Sequence, residues 1–174
     1  QHGGAPVLLW RPQEADGAEA AWLAQRHNMV VPLDGTDIAA QILPHAADLA
    51  KLLDASITLV RVVTPLSVIV PPHAEALLVA HENVSLEEQL DRAGQELEQV
   101  ATVLRGKGFE VRNAVLTANA PGPELVVFAE RSGASVVALA THGRGALGRL
   151  AWGSVADKLI RGATCPVLVH KPTG

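Results

Sequence analysis

The chain has 174 residues, 48% hydrophobic, 18% charged and only 3% aromatic, a composition that suits one globular domain with an aliphatic core. Three Trp, two Phe and no Tyr leave few platforms for stacking nucleic-acid bases, and a formal net charge of -4 argues against chain-wide attraction to nucleic acid or anionic lipid. A single cysteine, Cys165, excludes an intrachain disulfide and a multi-cysteine zinc site, fits a reducing cytoplasm, and reads as a small buried apolar residue.

No apolar run reaches the about 18 residues of a membrane span; that from Ile57 to Val63 is interrupted by Thr58 and Arg61. The chain starts at Gln1 with no charged stretch leading into an apolar one, and is read as a piece of a longer chain. Residues 1–27 contain half of an internal repeat. Ala5-Pro-Val-Leu-Leu-Trp-Arg-Pro12 aligns with Cys165-Pro-Val-Leu-Val-His-Lys-Pro172, 160 positions apart. Residues 6–10 are expected to be the last strand of a preceding copy, and 13–28 the linker; an unrelated extension is the alternative.

From residue 28 the pattern alternates short β-rich runs with helical periodicity, the rhythm of βαβ units around a parallel sheet. Five strands and four helices are predicted. Met29–Leu33 is the first strand, and Asp34-Gly35-Thr36 turns into a helix with Ile38, Ile42, Leu49, Leu52 and Leu53 on one side, kinked at Pro44. Ile57–Val63 is the second strand, followed by a proline-rich loop to about His81. Leu86, Leu90, Ala93, Leu97, Val100 and Leu104 mark the next helix, with Ser85 and Glu88 as a capping box.

Phe109–Arg112 alternates apolar and polar residues before Ala114–Leu116, as an edge strand does. Pro121, Pro123 and Glu124 open a helix that stops at Ser132-Gly133. Ser135–Ala140 is apolar almost throughout, the mark of a central parallel strand. A glycine-rich loop leads to a helix over 154–161 with Gly162 as its C-cap, and Pro166–Val169 is the last strand.

The chemistry concentrates in that loop. Between 142 and 161 the charged residues are Arg144, Arg149, Lys158, Arg161 and one acid, Asp157, a local +3 within a chain of net -4. A glycine loop running from a strand end to a helix N-terminus offers backbone N–H groups and a dipole end to phosphate. The alternative is that these glycines only make turns and the arginines are solvated. Gly143, Gly145 and Gly148 spell G-x-G-x-x-G, but the helix does not open within the motif and no acidic strand end follows about 20 residues on, so the context of a dinucleotide site is missing. Neither a P-loop nor a G-x-S-x-G elbow is present. Ser154 reads as a helix N-cap that could also ligate phosphate. His142 reads as an exposed loop histidine, and the other six His lack metal-ligand spacing.

The spacing Ala140-x-x-Gly143-x9-Gly153-Ser154 resembles the G-x-x-G-x9-G-[ST] signature of ATP-binding universal stress proteins. The resemblance spans roughly residues 28–172 and includes Val31-Pro-Leu-Asp-Gly-Thr36, Leu59-Val-Arg-Val-Val63 and Cys165-Pro-Val-Leu-Val169. It implies an α/β fold of the adenine nucleotide alpha-hydrolase-like type: an open parallel five-stranded sheet, order 3-2-1-4-5, helices on both faces, here with an N-terminal extra strand. It also implies an adenine nucleotide (ATP, ADP or AMP) at the C-terminal ends of strands 1 and 4, where open α/β sheets hold ligands. By carry-over, Pro32 and Asp34 line the adenosine end, the Val62 backbone meets the adenine edge, and Ala140 lies by the ribose. Gly143 and Arg144 meet the phosphates, and Gly153, Ser154 and Val155 donate at the helix start. Mg2+ or Mn2+ on the phosphates is the implied ion.

Ala140 stands where the signature has glycine, a mild change if the backbone there is extended. The expected function is a cytoplasmic stress-response regulatory or dimerisation module, hydrolysing ATP slowly at most, in which the last strand pairs with a two-fold mate as homodimer or pseudo-dimer. Residues 7–10 should then lie antiparallel to residues 166–169, the chain being the C-terminal copy of a tandem. The rival is a degenerate dimerisation module that binds no nucleotide. No nucleic acid or membrane is expected as partner.

Overall fold

The computed structural model describes residues 4–10, 22, 27–65, 85–141 and 153–172. In chain order the elements are β1 (Val7–Leu9), β2 (Asn28–Pro32), α1 (Asp37–Ala40), α2 (Leu43–Leu53), β3 (Ser56–Val63), α3 (Leu86–Gly106), β4 (Val111–Thr117), α4 (Pro121–Arg131), β5 (Val136–Ala140), α5 (Ser154–Gly162) and β6 (Val167–His170). They build one six-stranded sheet in the order β1-β6-β5-β2-β3-β4.

Strands β2 to β6 run parallel, and β1 pairs antiparallel with β6. The sheet is therefore mixed and six-stranded, where five parallel strands were expected with one extra. Without β1, and read from the β4 edge, the order is third, second, first, fourth, fifth strand of the repeating unit. Strand β4 lies at an edge and β5 in the interior, as their residue patterns require.

Alternate residues of the inner strands feed two cores, which is why their sequences are apolar at nearly every position. Met29, Val31, Ile57, Leu59, Val136 and Ala138 pack under α2 and α3, through Ala46, Ala50, Leu97, Ala101 and Leu104. Val30, Val60, Val137, Leu139, Val167 and Val169 pack under α4 and α5, through Leu125, Ala129, Ala156 and Leu159. Each Val, Leu, Ile or Met side chain among these, fully buried, stabilises the fold by about 1.5–3 kcal/mol relative to exposure, and each alanine by less.

Local structure departs from expectation at Pro44, Leu52 and Gly162. Pro44 does not kink one helix: the chain turns at Gln41–Ile42, and Pro44 sits in the first turn of α2, where its missing N–H costs no hydrogen bond. Leu52, assigned to the apolar side of that helix, is 81% exposed. Gly162 closes α5 without a left-handed φ, and Ala163 is the C-cap. The capping box of α3 forms as the sequence indicates: Glu88 N donates to Ser85 Oγ at 3.1 Å and Ser85 N to Glu88 Oε2 at 2.7 Å.

Cys165 is half-buried, packed on the α4/α5 core, and burial raises its thiol pKa. Ahead of β2, the Trp10 and Trp22 rings lie 5.9 Å apart, Trp22 lies 4.7 Å from His27, and Trp22 Nε1 donates to the Ser135 carbonyl at 2.9 Å. These contacts fasten the N-terminal segment to the sheet. The predicted proline-rich loop, from the end of β3 to about His81, lies outside the described residues from 66 onward.

Candidate functional site

The helices reverse face at the boundary between β2 and β5. Crossovers on one side of it run through α1, α2 and α3, and on the other through α4 and α5. A parallel sheet opens a crevice at such a switch point, at the C-terminal ends of its strands. The register shows the opening directly. Strands β2 and β5 pair only at Met29↔Val136 and Val30↔Val137, while β5 stays on β6 through Ala140↔His170 and β2 stays on β3 through Pro32↔Val60.

A cavity of about 390 Å³ occupies this crevice, within the range of about 300–1,000 Å³ usual for small-molecule sites. Seven of the nine residues assigned from the sequence border it: Pro32, Asp34, Val62, Ala140, Gly153, Ser154 and Val155. The other two, Gly143 and Arg144, lie outside the described residues, as do His142 and Arg149. The sequence reading missed Pro121, at the start of α4, and Thr141, just past β5, which join core residues such as Leu125 and Leu139 in the wall. Thr141 lies inside the motif between Ala140 and Gly143 and could have been found there. Pro121 is distant in sequence and carries no such signal.

The residues are held as follows. Leu33 N donates to the Val60 carbonyl at 2.9 Å, so Val60 turns its backbone toward β2. Backbone direction alternates along a strand, so Val62 turns its N–H and C=O to the same side, past the last β2 partner and into the crevice. Asp34 follows β2, and its Oδ1 accepts from Thr36 N at 2.9 Å and from Thr36 Oγ1 at 2.6 Å. Thr36 Oγ1 in turn accepts from Ala39 N at 3.1 Å and caps α1. Ala140 ends β5 in extended backbone; among the described residues only Asp54 is a non-glycine with positive φ. The alanine in place of glycine is thus accommodated without strain.

Helix α5 aims its N-terminus at the cavity. Its N-cap is Gly153, and Ser154 is the first helical residue, so the assignment of Ser154 as N-cap is corrected. No side chain caps this end, in contrast to α3, and the first N–H groups of α5 carry the partial positive charge of the helix dipole. Leu159, fully buried, anchors the helix on the sheet. Gly122 lets α4 approach it: a Cβ at Gly122 would stand 2.9 Å from Lys158 Cβ and 3.6 Å from Val155 Cα.

Asp34 is the one ionisable residue among the described residues of the lining. Among the described residues, no group of three or more His, Cys, Asp or Glu is placed to hold a metal ion. A larger groove, about 950 Å³, lies at the opposite end of the sheet beside Lys51, Ser56, Lys107 and Glu110, and none of the assigned residues borders it.

The model of the universal stress protein family matches residues 25–171 of the chain. This chain belongs to that family. Universal stress protein MJ0531 of Methanocaldococcus jannaschii is 35% identical to it over 144 residues, 82% of this chain and 81% of the relative. Two solved structures share the fold. A universal stress protein in complex with cAMP, 18% identical, superposes with a TM-score of 0.62 over 86% of this chain and 100% of its own. That of Archaeoglobus fulgidus in complex with dAMP, 20% identical, superposes with a TM-score of 0.58 over 84% and 98%. In this universal stress protein domain no described helix is long and apolar enough to cross a membrane.

Proposed function

We propose that this universal stress protein domain binds an adenine nucleotide, ATP being the expected one, in the crevice between β2 and β5. The observation that carries the reading is convergence: residues from four separate segments of the sequence, each expected at the nucleotide from its motif, border one cavity with an uncapped helix N-terminus in its wall. Two structural neighbours that bind cAMP and dAMP add support.

In this reading the apolar wall of Pro32 and Val62 takes the adenine, whose edge hydrogen-bonds the Val62 backbone. Asp34 faces the adenosine end and Ala140 the ribose. The α5 start, through the N–H groups at Gly153, Ser154 and Val155 and the Ser154 hydroxyl, takes phosphate oxygens. Gly143 and Arg144 complete the phosphate side. The described lining supplies no metal cage, so a Mg2+ or Mn2+ ion would be held chiefly by the phosphates themselves.

Asp34, the one carboxylate in the described lining, already accepts two hydrogen bonds from Thr36 and is poor equipment for acid–base chemistry. The lining therefore favours a binding module whose nucleotide state biases assembly, with hydrolysis slow at most, in a cytoplasmic stress response. Isothermal calorimetry with ATP, ADP and AMP tests this. Binding at millimolar concentration or better, abolished by Gly143→Glu, is expected. An unaltered, folded chain that binds none of the three would leave the rival, a dimerisation module that takes no nucleotide.

A pseudo-dimer belongs to the same proposal. Repeat positions Val7, Leu8 and Leu9 correspond to Val167, Leu168 and Val169, and the observed pairs are Val7↔Val169, Leu8↔Leu168 and Leu9↔Val167. Each strand thus faces its own likeness about a local two-fold axis at Leu8 and Leu168. That is the symmetry of two last strands meeting across a dimer, and it supports residues 1–27 as the remnant of a preceding copy, with 28–172 as the domain.

A further inference from the structure

Arg61 and Glu96 sit behind the wall of the crevice, and neither belongs to the G-x-x-G-x9-G-[ST] motif or to the residues assigned to the nucleotide. Strand β3 carries Arg61 next to Val62, and its side chain lies on the α3 face of the sheet, where Arg61 Nη1 donates to Glu96 Oε2 at 3.2 Å. Glu96 Oε1 accepts from Arg92 Nε at 3.1 Å, so both carboxylate oxygens are engaged. The inner pair is sheltered, with side-chain exposures of 22% for Arg61 and 34% for Glu96, while Arg92 is 80% exposed.

The pair is packed against Gly35. A Cβ at Gly35 would lie 2.9 Å from Arg61 Nη2 and 2.9 Å from Glu96 Oε2, and closer still to Arg61 Nη1. Gly35 also has φ +81, a conformation that glycine adopts freely and other residues rarely do. The turn from Asp34 to Thr36 is therefore clamped on two sides. The Asp34–Thr36–Ala39 hydrogen bonds hold it to α1, and the ion pair backs it from α3. A second cavity, about 350 Å³, is lined by Gly35, Arg61, Val62, Arg92 and Glu96, so Val62 borders both cavities and the clamp lies just outside the main one.

We infer that the Arg61–Glu96 pair is a positioning device: it sets the Gly35 turn, and through it the carboxylate of Asp34, against the adenosine end of the ligand. This rests on the nucleotide reading above. Its consequence is that α3 is mechanically tied to the occupied site, and that displacement of α3 loosens the hold on the nucleoside.

Calorimetry of ATP and of adenosine with the unaltered chain, Glu96→Gln, Arg61→Met, the double variant and Arg92→Ala tests this, alongside thermal melts. Glu96→Gln removes a negative charge, so by electrostatics alone it would strengthen binding of an anion. Positioning requires the opposite sign. The dissociation constants of both ATP and adenosine should rise by the same factor, about three- to tenfold, with the melting midpoint little changed because partly exposed ion pairs contribute little to stability. Arg61→Met should do the same, the double variant should lose no more than either single one, and Arg92→Ala should stay within about twofold of the unaltered chain. Unchanged or tighter binding in Glu96→Gln, or a loss confined to ATP, overturns the inference while leaving the nucleotide reading intact. Failure of the unaltered chain to bind either compound overturns both.

Discussion

His170 ends β6 beneath the N-terminal segment, 4% exposed, its ring centroid 4.5 Å from that of His45 on α2. Burial first, and His45 second, hold its pKa below the ordinary histidine value, against a hydrogen bond to the Gly4 backbone that raises it. The unfolded chain therefore takes up a proton at a higher pH than the folded one, and stability is lost as pH falls through the ordinary histidine range near about 6.5, while remaining flat above it. Thermal melts between pH 8 and pH 5 should show this decline, and His170→Phe should flatten it. An equally steep decline in His170→Phe would assign the effect to other groups.

At this scale the sequence was most informative where function demands odd residues. Asp34 after a β-rich run, and Gly153-Ser154 separated from Gly143 by nine residues, stood out because they match the motifs of the family that the chain resembles. Arg61, by contrast, sits in a strand pattern as an interruption. Its meaning arises only when α3, 35 residues later, brings Glu96 against Gly35. Long-range side-chain geometry of this kind has no local signal.

Among the elements, the helices and strands with strong periodicity were legible to within a residue or two. The Leu86–Leu104 spacing and its Ser85/Glu88 box define α3, and the continuous apolar run of β5 places that strand inside the sheet. What misled was punctuation. Pro44 reads equally as a kink or as a first-turn residue, and only the turn at Gln41–Ile42 decides between them. Gly162 reads as a C-cap, yet its place is fixed by packing: a Cβ there would stand 3.1 Å from Val126 Cγ2 on α4.

Strand β1 carries the element-scale prediction. It holds the β6 edge, whose N–H and C=O groups would otherwise be open to another chain. Leu9 is half-buried and packs on the α4/α5 core, so a carboxylate there would have to leave. Leu9→Asp should free β1, and light scattering after size exclusion should then show a concentration-dependent dimer where the unaltered chain is monomeric. An unaltered chain that already dimerises through this face, and a variant that is monomeric, would contradict the stand-in role of β1.

Taken whole, the molecule puts its chemistry at one end. Fold class was legible in the alternating βα rhythm and the doubly covered inner strands, whereas the strand order around the switch point and the location of the crevice came from the resemblance to universal stress proteins, with which the general rule for open α/β sheets agrees. The size and exact lining of the crevice were not legible, since they depend on how far β2 and β5 diverge and on how closely Gly122 admits α4 to α5. The net charge of -4 likewise conceals a local +3 over residues 142–161 of the sequence, which suits a local anion rather than a polyanion.

Backbone amide NMR with titrated ATP tests the central claim most directly. The account predicts that the amides of Val62, Ala140, Ser154 and Val155 shift together with one dissociation constant, while those of Lys51, Lys107 and Glu110, at the opposite end of the sheet, do not. Shifts confined to the opposite groove, or none at millimolar ATP, would contradict it.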